Sequence, residues 1–299
     1  MTIDLEALAA FLKVAELASF TRAAEQLAMP KARVSARVQA LEAELGVRLL
    51  QRTTRTVRLT PDGEQLMPRA KQLVIEADEL ATLFQGSRAL RGVVRVDLPV
   101  SMARDFVIPR LPEFLAAHPQ IELQVSTTDR RVDVVREGFD CVLSVGNLRV
   151  SGLVAQRLGE LTMVNCASPV YLKKFGLPVV LGDLDRHLLI NYEPTFGTVP
   201  PAFEYRDGRR YALYPMRSVV TVNTGDSYHT ACLAGLGIIQ APRLGLRSLL
   251  EDGLLVEILP ELGSEPMPVS LVHPHGRKVP KRVRAVMSWL VNMIVPRLM

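Results

Sequence analysis

The sequence lacks long hydrophobic runs and has few cysteines. No apolar stretch approaches the roughly 18 to 20 residues that cross a bilayer, so an integral membrane protein is not expected. The first residues carry acids where a secretory signal carries Lys or Arg, which predicts a cytoplasmic protein. The three cysteines, Cys141, Cys166 and Cys232, are widely spaced in apolar stretches and form no Cys-x-x-Cys pair. Buried free thiols are therefore predicted.

Motifs of the common enzyme classes are also missing. The sequence has no Gly-x-Ser-x-Gly elbow, no Gly-x-x-x-x-Gly-Lys phosphate loop and no His-Glu-x-x-His pair. Gly235-x-Gly237 lacks the third glycine of a dinucleotide-binding loop. His273-x-His275 could place two imidazoles on one side of a strand, but no further ligand follows at metal-binding spacing. We predict no catalytic residues, no metal site and no cofactor.

The composition of the 299 residues, with 48% hydrophobic and 22% charged residues, is that of an ordinary globular protein with two domains. The net charge of +5 is concentrated in residues 31–58, which contain seven basic and two acidic residues. In the rest of the chain the basic and acidic residues are equal in number. The basic residues of this window are Lys31, Arg33, Arg37, Arg48, Arg52, Arg55 and Arg58. Such a local excess is typical of a module that binds a polyanion, although a solvated helix face has the same appearance.

The first sixty residues predict three helices followed by a hairpin. Asp4 can cap a helix that ends near Ala18, and Thr21 can cap a short second helix. After a turn at Met29-Pro30, a third helix begins at Lys31. It ends at Gly46, and two short strands are predicted at 47–50 and 56–59. This order of elements is that of a winged helix-turn-helix.

The geometry of that motif assigns roles to the third helix and the hairpin. Val34 and Val38 lie on the apolar face and must pack against the other helices. Side chains from the first turns of the helix can then enter the major groove of DNA. The residues predicted there are Lys31, Arg33, Ser35 and Arg37. The hairpin is predicted to contact flanking phosphates through Arg52, Thr53, Thr54 and Arg55.

A long helix is predicted from Thr60-Pro61 to about Phe84. Apolar residues recur along it at alternating spacings of four and three, which is typical of a dimerisation seam. The seam residues are Leu66, Ala70, Leu73, Ala77, Leu80 and Phe84. Alternatively, the same stripe packs on its own domain. Pro68 is expected to bend the helix near its start.

The remainder of the chain alternates between strands and helices, which predicts α/β lobes. After a linker at 85–92, strands are predicted at 93–98, 121–126 and 140–145, with helices at 111–117 and 132–136. Further strands, which suggest a second lobe, are predicted at 161–167, 188–192, 218–222, 237–240 and 254–259. A strand at 269–273 and the last helix, 283–294, are expected to return to the first lobe.

The N-terminal residues resemble the signature of the LysR-type transcriptional regulators. The matching residues are Leu8-x-x-Phe11, Ser19-Phe20-Thr21-x-Ala23-Ala24-x-x-Leu27, Val34-Ser35, Leu41-Glu42-x-x-Leu45-Gly46 and Leu49-x-x-Arg52-x-x-Arg55-x-x-x-Leu59-Thr60-x-x-Gly63. Looser matches farther along the chain are Leu111-x-x-Phe114-x-x-x-x-Pro119, Glu137-Gly138-Phe139-Asp140, Ala167-Ser168-Pro169-x-Tyr171-Leu172 and Ala234-Gly235-Leu236-Gly237-Ile238. Where the family commonly has Ser-Gln-Pro/Ser-Ala, this chain has Pro30-Lys31-Ala32-Arg33.

The resemblance implies an α/β effector domain of two lobes, like a type 2 periplasmic binding protein, preceded by a winged helix-turn-helix domain and a long linker helix. The implied boundaries are 1–59 for the DNA-binding domain (helix-turn-helix about 20–39), 60–86 for the linker helix and 90–299 for the effector domain. The implied partners are double-stranded DNA, a small-molecule effector, further copies of the chain in a homodimer or homotetramer, and RNA polymerase. Thr21, Pro30 and Ala32 join the predicted DNA contacts.

The resemblance also places an effector between the lobes, at the ends of the strands. The predicted contacts are Val100, Ser101, Thr127, Thr128, Asp129, Val145, Gly146, Asn147, Tyr192, Asn223 and Thr224. Hydroxyls and helix N-terminal amides there could hold a small anion or a polar organic molecule. Relatives commonly carry a cation at the position of Ser144, and this chain does not, which argues against a carboxylate effector.

The sequence therefore predicts a transcriptional regulator that binds specific DNA and senses a small molecule. A DNA-binding regulator without an effector is the alternative that the sequence leaves open. An α/β enzyme is disfavoured by the missing motifs, and a solute-binding protein would need export and would have no use for a basic winged helix.

Overall fold

A computed structural model describes residues 4–52, 57–83, 90–148, 152–197, 200–276 and 279–298. By their internal contacts the residues form two units, 1–88 and 89–299. The described elements of the first unit are α1 (Leu5–Leu17), α2 (Phe20–Gln26), α3 (Lys31–Leu45), β1 (Leu50–Arg52), β2 (Val57–Leu59) and α4 (Pro61–Leu83).

Capping side chains set where the first helices begin. Asp4 precedes α1, and its Oδ1 accepts a hydrogen bond from the Glu6 amide at 2.9 Å. Ser19, and not Thr21 as predicted, caps α2, because its Oγ accepts from the Arg22 amide at 3.3 Å. Thr21 instead lies exposed within the first turn of the helix. The prediction was wrong by two residues because either hydroxyl satisfies the sequence rule for a helix cap.

The core of the first unit forms between α1, α2, α3 and the start of α4. Phe11, Val34 and Val38 are completely buried, which confirms the inward face predicted for the third helix. β1 and β2 pair antiparallel with Leu50 opposite Leu59 and Arg52 opposite Val57. The first strand was predicted at 47–50 but lies at 50–52, and the second, predicted at 56–59, lies at 57–59. The hairpin tip at 53–56 lies outside the described residues.

The second unit contains two lobes. The elements of the first lobe are β3 (Arg91–Leu98), α5 (Val100–Met102), α6 (Leu111–Ala117), β4 (Gln120–Thr127), β5 (Cys141–Val145), β6 (Val154–Leu161), β14 (Met267–His273) and α10 (Lys281–Ile294). Its five strands form a sheet in the order β4-β3-β5-β14-β6, with β3 parallel to both β4 and β5. β14 and α10 thus return to the first lobe, as predicted, and α10 buries Val283, Met287 and Leu290 in its core.

The second lobe lies between β6 and β14 in the sequence. Its elements are β7 (Met163–Ala167), α7 (Pro169–Phe175), β8 (Leu188–Tyr192), β9 (Ala202–Asp207), β10 (Arg210–Pro215), β11 (Arg217–Val222), α8 (Gly225–Leu233), β12 (Ile239–Pro242), α9 (Arg243–Glu251) and β13 (Val256–Glu257). β7 lies between β12 and β13, β8 pairs with β11, and a bridge from Leu189 to Ile238 places the two groups of strands side by side.

Two sequence predictions in this unit were wrong. Residues 132–136 form no helix but a turn across 134–138, which ends at Gly138 with a left-handed φ of 78°. The predicted strand 161–167 is two strands, because the chain passes from the first lobe to the second at Thr162, between β6 and β7. The hairpin of β9 and β10 was not predicted.

Candidate functional site

The first turn of α3 presents the residues predicted to read DNA. Pro30 precedes the helix, and its carbonyl accepts hydrogen bonds from the amides of Arg33 at 2.9 Å and Val34 at 3.2 Å. Lys31, Ala32 and Arg33 are exposed, and Ser35 is partly buried. Proline has no amide hydrogen to leave unpaired, which suits this position at the start of a helix. The basic side chains are therefore displayed to solvent on a rigid element.

The exposed face of α3 also includes residues that sequence reasoning missed. Val34 and Val38 are buried, and the opposite side of the helix carries Ala36 and Gln39, both exposed. A glutamine amide can form two hydrogen bonds with the edge of an adenine in the major groove. The spacing of 32, 36 and 39 on the side opposite the valines was the signal that could have identified them.

Arg37 does not belong to this exposed face, contrary to our prediction. Its guanidinium pairs with Asp4 at 2.8 Å and also with Glu6, and only 18% of its side chain is exposed. The positive charge of Arg37, which the sequence analysis counted in the basic window, is therefore neutralised by two acids at the start of α1. Arg37 therefore joins α3 to α1 in this structure.

Buried hydrogen bonds fix the base of the hairpin. The Glu42 carboxylate is buried, and its Oε1 accepts from the amides of Leu49 at 2.8 Å and Leu50 at 3.1 Å. The Thr60 hydroxyl donates to the Arg48 carbonyl and accepts from the Gly63 amide. The predicted phosphate contacts at the tip, Thr53, Thr54 and Arg55, and the side chain of Arg52 lie outside the described residues.

The seam predicted on the long helix divides into an inner and an outer part. Ala70 is completely buried in the core of its own unit, and Leu66 packs against the same core. For these two residues the structure supports the alternative that the stripe packs on its own domain, and Ala70 has no surface left for a second chain. Leu73 is 45% exposed and Ala77 is partly buried. The side chain of Leu80 and all of Phe84 lie outside the described residues.

A cleft of about 1010 Å³ lies between the two lobes of the second unit. Five of the predicted effector contacts line it, namely Ser101, Thr128, Asp129, Val145 and Tyr192. The other six do not line it, namely Val100, Thr127, Gly146, Asn147, Asn223 and Thr224. Sequence reasoning missed most of the apolar lining, which includes Met102, Phe106, Leu161, Met163, Tyr228 and Leu244. These residues come from elements of both lobes, so only the folded chain brings them together.

Burial changes the acid–base properties of several groups in the cleft. Asp97 is buried, and desolvation raises its pKa, although the Thr128 hydroxyl donates to Oδ2 at 3.1 Å. Burial also raises the pKa of Tyr192, with nearby Asp129 adding to the effect. The pKa of His229 is lowered, mainly by burial. Tyr192 and His229 are therefore neutral at pH 7.

Side chains of the first lobe also join it to the second. Asp129 follows β4, and its Oδ1 accepts from the Val100 amide of the same lobe at 3.1 Å. Its Oδ2 accepts from the Gly225 amide of the second lobe at 2.8 Å. Beside this bridge, Arg104 of the first lobe pairs with Asp226 of the second at 2.6 Å.

His273, His275 and the three cysteines are the residues that were considered for metal binding or thiol chemistry. The rings of His273 and His275 stack at 5.9 Å, and within the described ranges no group of three or more His, Cys, Asp or Glu side chains is placed to hold a metal ion. Cys141, Cys166 and Cys232 are buried and free, as predicted. Burial raises the pKa of Cys166 and of Cys232 to about 12, so these thiols are protonated and unreactive at neutral pH.

No helix in the described part of the chain is both long enough and apolar enough to span a membrane.

Comparison with known proteins places both units in one family. Residues 5–64 match the family model for bacterial regulatory helix-turn-helix proteins of the lysR family, and residues 87–294 match the LysR substrate binding domain. The chain is 46% identical over 291 residues to the uncharacterized HTH-type transcriptional regulator YhjC of Escherichia coli, covering 97% of each protein. It is 36% identical over 290 residues to an HTH-type transcriptional repressor of Pseudomonas aeruginosa, covering 97% of this chain and 92% of that one.

A solved structure agrees with this assignment. CrgA, a LysR-type transcriptional regulator from Neisseria meningitidis, aligns with a TM-score of 0.61 and 29% identity over 98% of this chain and 99% of that one. The winged helix-turn-helix, the long helix and the two-lobed domain predicted from the sequence are thus the architecture of a known group of proteins. The chain belongs to the LysR family of bacterial transcriptional regulators, which bind DNA through the helix-turn-helix and respond to a small molecule in the two-lobed domain.

Proposed function

We propose that the protein reads a specific operator through the exposed face of α3 and acts on transcription without catalysing a reaction. The observation that carries the proposal is the exposed surface of α3, where Lys31 and Arg33 lie in the first turn and Gln39 lies on the side opposite Val34 and Val38. Arginine pairs with guanine edges and glutamine with adenine edges in the major groove. Thr21, Pro30, Ala32 and Ser35 flank this face and complete the proposed contact surface.

The hairpin is proposed to hold the DNA backbone beside the groove. Arg52, Thr53, Thr54 and Arg55 would contact phosphates, which position the protein but carry little sequence information. The hydrogen bonds of Glu42 and Thr60 at the base of the hairpin support this role because they fix where the strands leave the core.

We propose that the outer part of α4 joins two copies of the chain. Leu73 is exposed there and Ala77 is partly buried, and Leu80 and Phe84 continue the same spacing in the sequence. Two joined heads would read half-sites about 34 to 36 Å apart or a multiple of that distance. The assembly, a homodimer or homotetramer, is proposed to act in the cytoplasm and to influence RNA polymerase at the promoter.

The cleft between the lobes is proposed to bind the effector. Its volume suits a small organic molecule, and its apolar walls combine with a few polar groups such as Ser101 and Thr128. An effector that contacts both lobes would change how they are held together, and this change would be passed to the bound DNA.

Selection of genomic DNA by the purified full-length protein tests the DNA-reading proposal. Fragmented DNA is incubated with the protein at moderate salt, and the retained fragments are sequenced. We expect enrichment of a few intergenic sites that share an inverted repeat. Equal retention of all fragments would contradict sequence-specific reading and leave only the electrostatic contribution of the basic residues.

A pair of arginine variants separates DNA reading from stability. Arg33→Ala is expected to lower the preference for the selected site over random DNA by about 5-fold to 150-fold, since one specific pair contributes about 1 to 3 kcal/mol of discrimination. Arg37→Ala is expected to leave that preference unchanged and to lower the thermal stability of the first unit, because Asp4 and Glu6 lose their partner. Fluorescence anisotropy with both DNAs measures the preference. A loss of preference in Arg37→Ala that equals the loss in Arg33→Ala would refute this division of roles.

A further inference from the structure

The carboxylate of Asp129 lies where two helices begin. α5 starts at Val100 in the first lobe, and α8 starts at Gly225 in the second. The amides of these two residues donate to the two oxygens of Asp129 at 3.1 Å and 2.8 Å. Each Asp129 oxygen therefore serves a different lobe, and one side chain bridges the cleft.

Gly225 lines the cleft, so an anionic ligand there would meet its amide at the start of α8, and the Val100 amide lies on the other side of the same Asp129 carboxylate. Amides in the first turn of a helix lack partners within the helix and attract negative charge. In this chain, Asp129 already accepts from both. A ligand carboxylate could reach these donors only by displacing the Asp129 side chain and would be repelled by its charge.

Other charges around the cleft point the same way. Arg130 donates two hydrogen bonds to Glu137, at 2.9 and 2.7 Å, and Arg104 pairs with Asp105 and Asp226. Four carboxylates line the cleft, those of Asp97, Asp105, Asp129 and Asp133, against two guanidinium groups, those of Arg130 and Arg131. Arg131 is exposed and donates to the Asn147 carbonyl at 2.9 Å. The lining therefore carries more acidic than basic groups.

We infer that Asp129 determines the charge of the effector: it occupies the anion position between the lobes, so the cleft selects a neutral or cationic, largely apolar molecule and rejects carboxylates. This inference rests on the proposal that the cleft binds the effector. The selected molecule fits beside the Asp129 bridge, against Met102, Phe106 and Tyr228. A cationic or hydroxyl-bearing group on it would find acceptors in the acidic lining.

Acetate tests whether Asp129 occupies an anion position. In the full chain carrying Asp129→Ala, the two amides lose their acceptor, and acetate has the charge and shape to replace it. We expect about 100 mM sodium acetate to raise the melting temperature of this variant by several degrees above the value in sodium chloride of equal ionic strength. Wild type and Asp133→Ala should show no acetate effect. Asp133 is the matched control because it lines the same cleft but accepts from the Arg136 amide of its own lobe.

Acetate that stabilises Asp129→Ala no more than chloride does, or that stabilises the wild type equally, would overturn the inference. Should Asp129→Ala not fold, Asp129→Ser also shortens the side chain and removes the charge. Its acetate effect must then exceed that of the wild type.

Two ring compounds of opposite charge test the selectivity directly. We expect benzamidine to raise the melting temperature of the wild type more than benzoate does, and Asp129→Ala to reverse this order. Benzoate that stabilises the wild type and the variant equally would contradict the assigned selectivity. These measurements need no DNA. Specific DNA binding without an acetate effect would contradict this inference and leave the proposed function standing. An acetate effect without specific DNA binding would contradict the proposed function and leave this inference standing.

Discussion

Replacing Glu42 with alanine is expected to lower the free energy of unfolding of the first unit by about 3 kcal/mol, since buried donors that lose a charged acceptor cost about 1 to 3 kcal/mol each. The Leu49 and Leu50 amides donate to Glu42 Oε1, and both residues are almost completely buried. Water therefore cannot easily replace the carboxylate. The first strand of the hairpin begins at Leu50, so we also expect weaker binding to every DNA sequence.

Glu42→Gln is the matched control for this prediction. Its amide oxygen keeps an acceptor at nearly the same position, so the loss of stability should be about 1 kcal/mol or less. Hydrogen exchange of peptides that span residues 47–60, followed by mass spectrometry on the full chain, measures the local opening. Equal exchange in the two variants would show that the side chain's volume, and not its acceptor oxygen, holds the hairpin.

Replacing Gly63 with alanine is expected to destabilise the first unit by about 2 to 3 kcal/mol, the usual cost of forcing extra atoms into a packed region. A Cβ atom at this position would lie 2.2 Å from the Leu49 carbonyl oxygen and 2.9 Å from Leu59 Cδ2. The Leu49 oxygen also accepts from the Thr60 amide at 3.0 Å, so it cannot move away without loss of that bond. Helix α4 would have to shift from the hairpin.

Gly182→Ala provides the comparison, because a Cβ there meets no atom within 4 Å. We expect its effect to stay within about 0.5 kcal/mol, as for most surface substitutions. Thermal unfolding followed by circular dichroism, together with anisotropy measurements of DNA binding, compares the two variants. A Gly63→Ala protein with wild-type stability and affinity would contradict the close contact between α4 and the hairpin.

Local patterns predicted most of the elements that carry the site. The inward positions of Val34 and Val38 followed from helical spacing, and both residues are completely buried. The return of β14 and α10 to the first lobe was also predicted. These successes share a cause, since the period of apolar residues reports which face of an element is buried whatever it packs against.

Contacts between residues far apart in the chain could not be predicted from local spacing. Arg37 looked like a DNA contact because it follows Lys31 and Arg33 on a basic helix, yet its partner Asp4 lies 33 positions earlier. Glu42 entered the sequence analysis only as an acidic residue of the basic window and of the family signature, but it is buried and holds the base of the hairpin. The turn across 134–138 resembled a helix because nearby apolar residues are spaced as in one.

The basic winged helix-turn-helix, the long helix and the α/β lobes could be predicted from the sequence, because they depend on spacing within a few turns or strands. Contacts between distant residues were needed to learn which charges are paired and which side chain joins the two lobes. Asp129 meets Val100 from 29 positions away and Gly225 from 96 positions away. Whether a carboxylate contacts a ligand, caps a helix or bridges two lobes depends on the donors that folding brings within hydrogen-bond distance. Those donors cannot be predicted from a local sequence pattern.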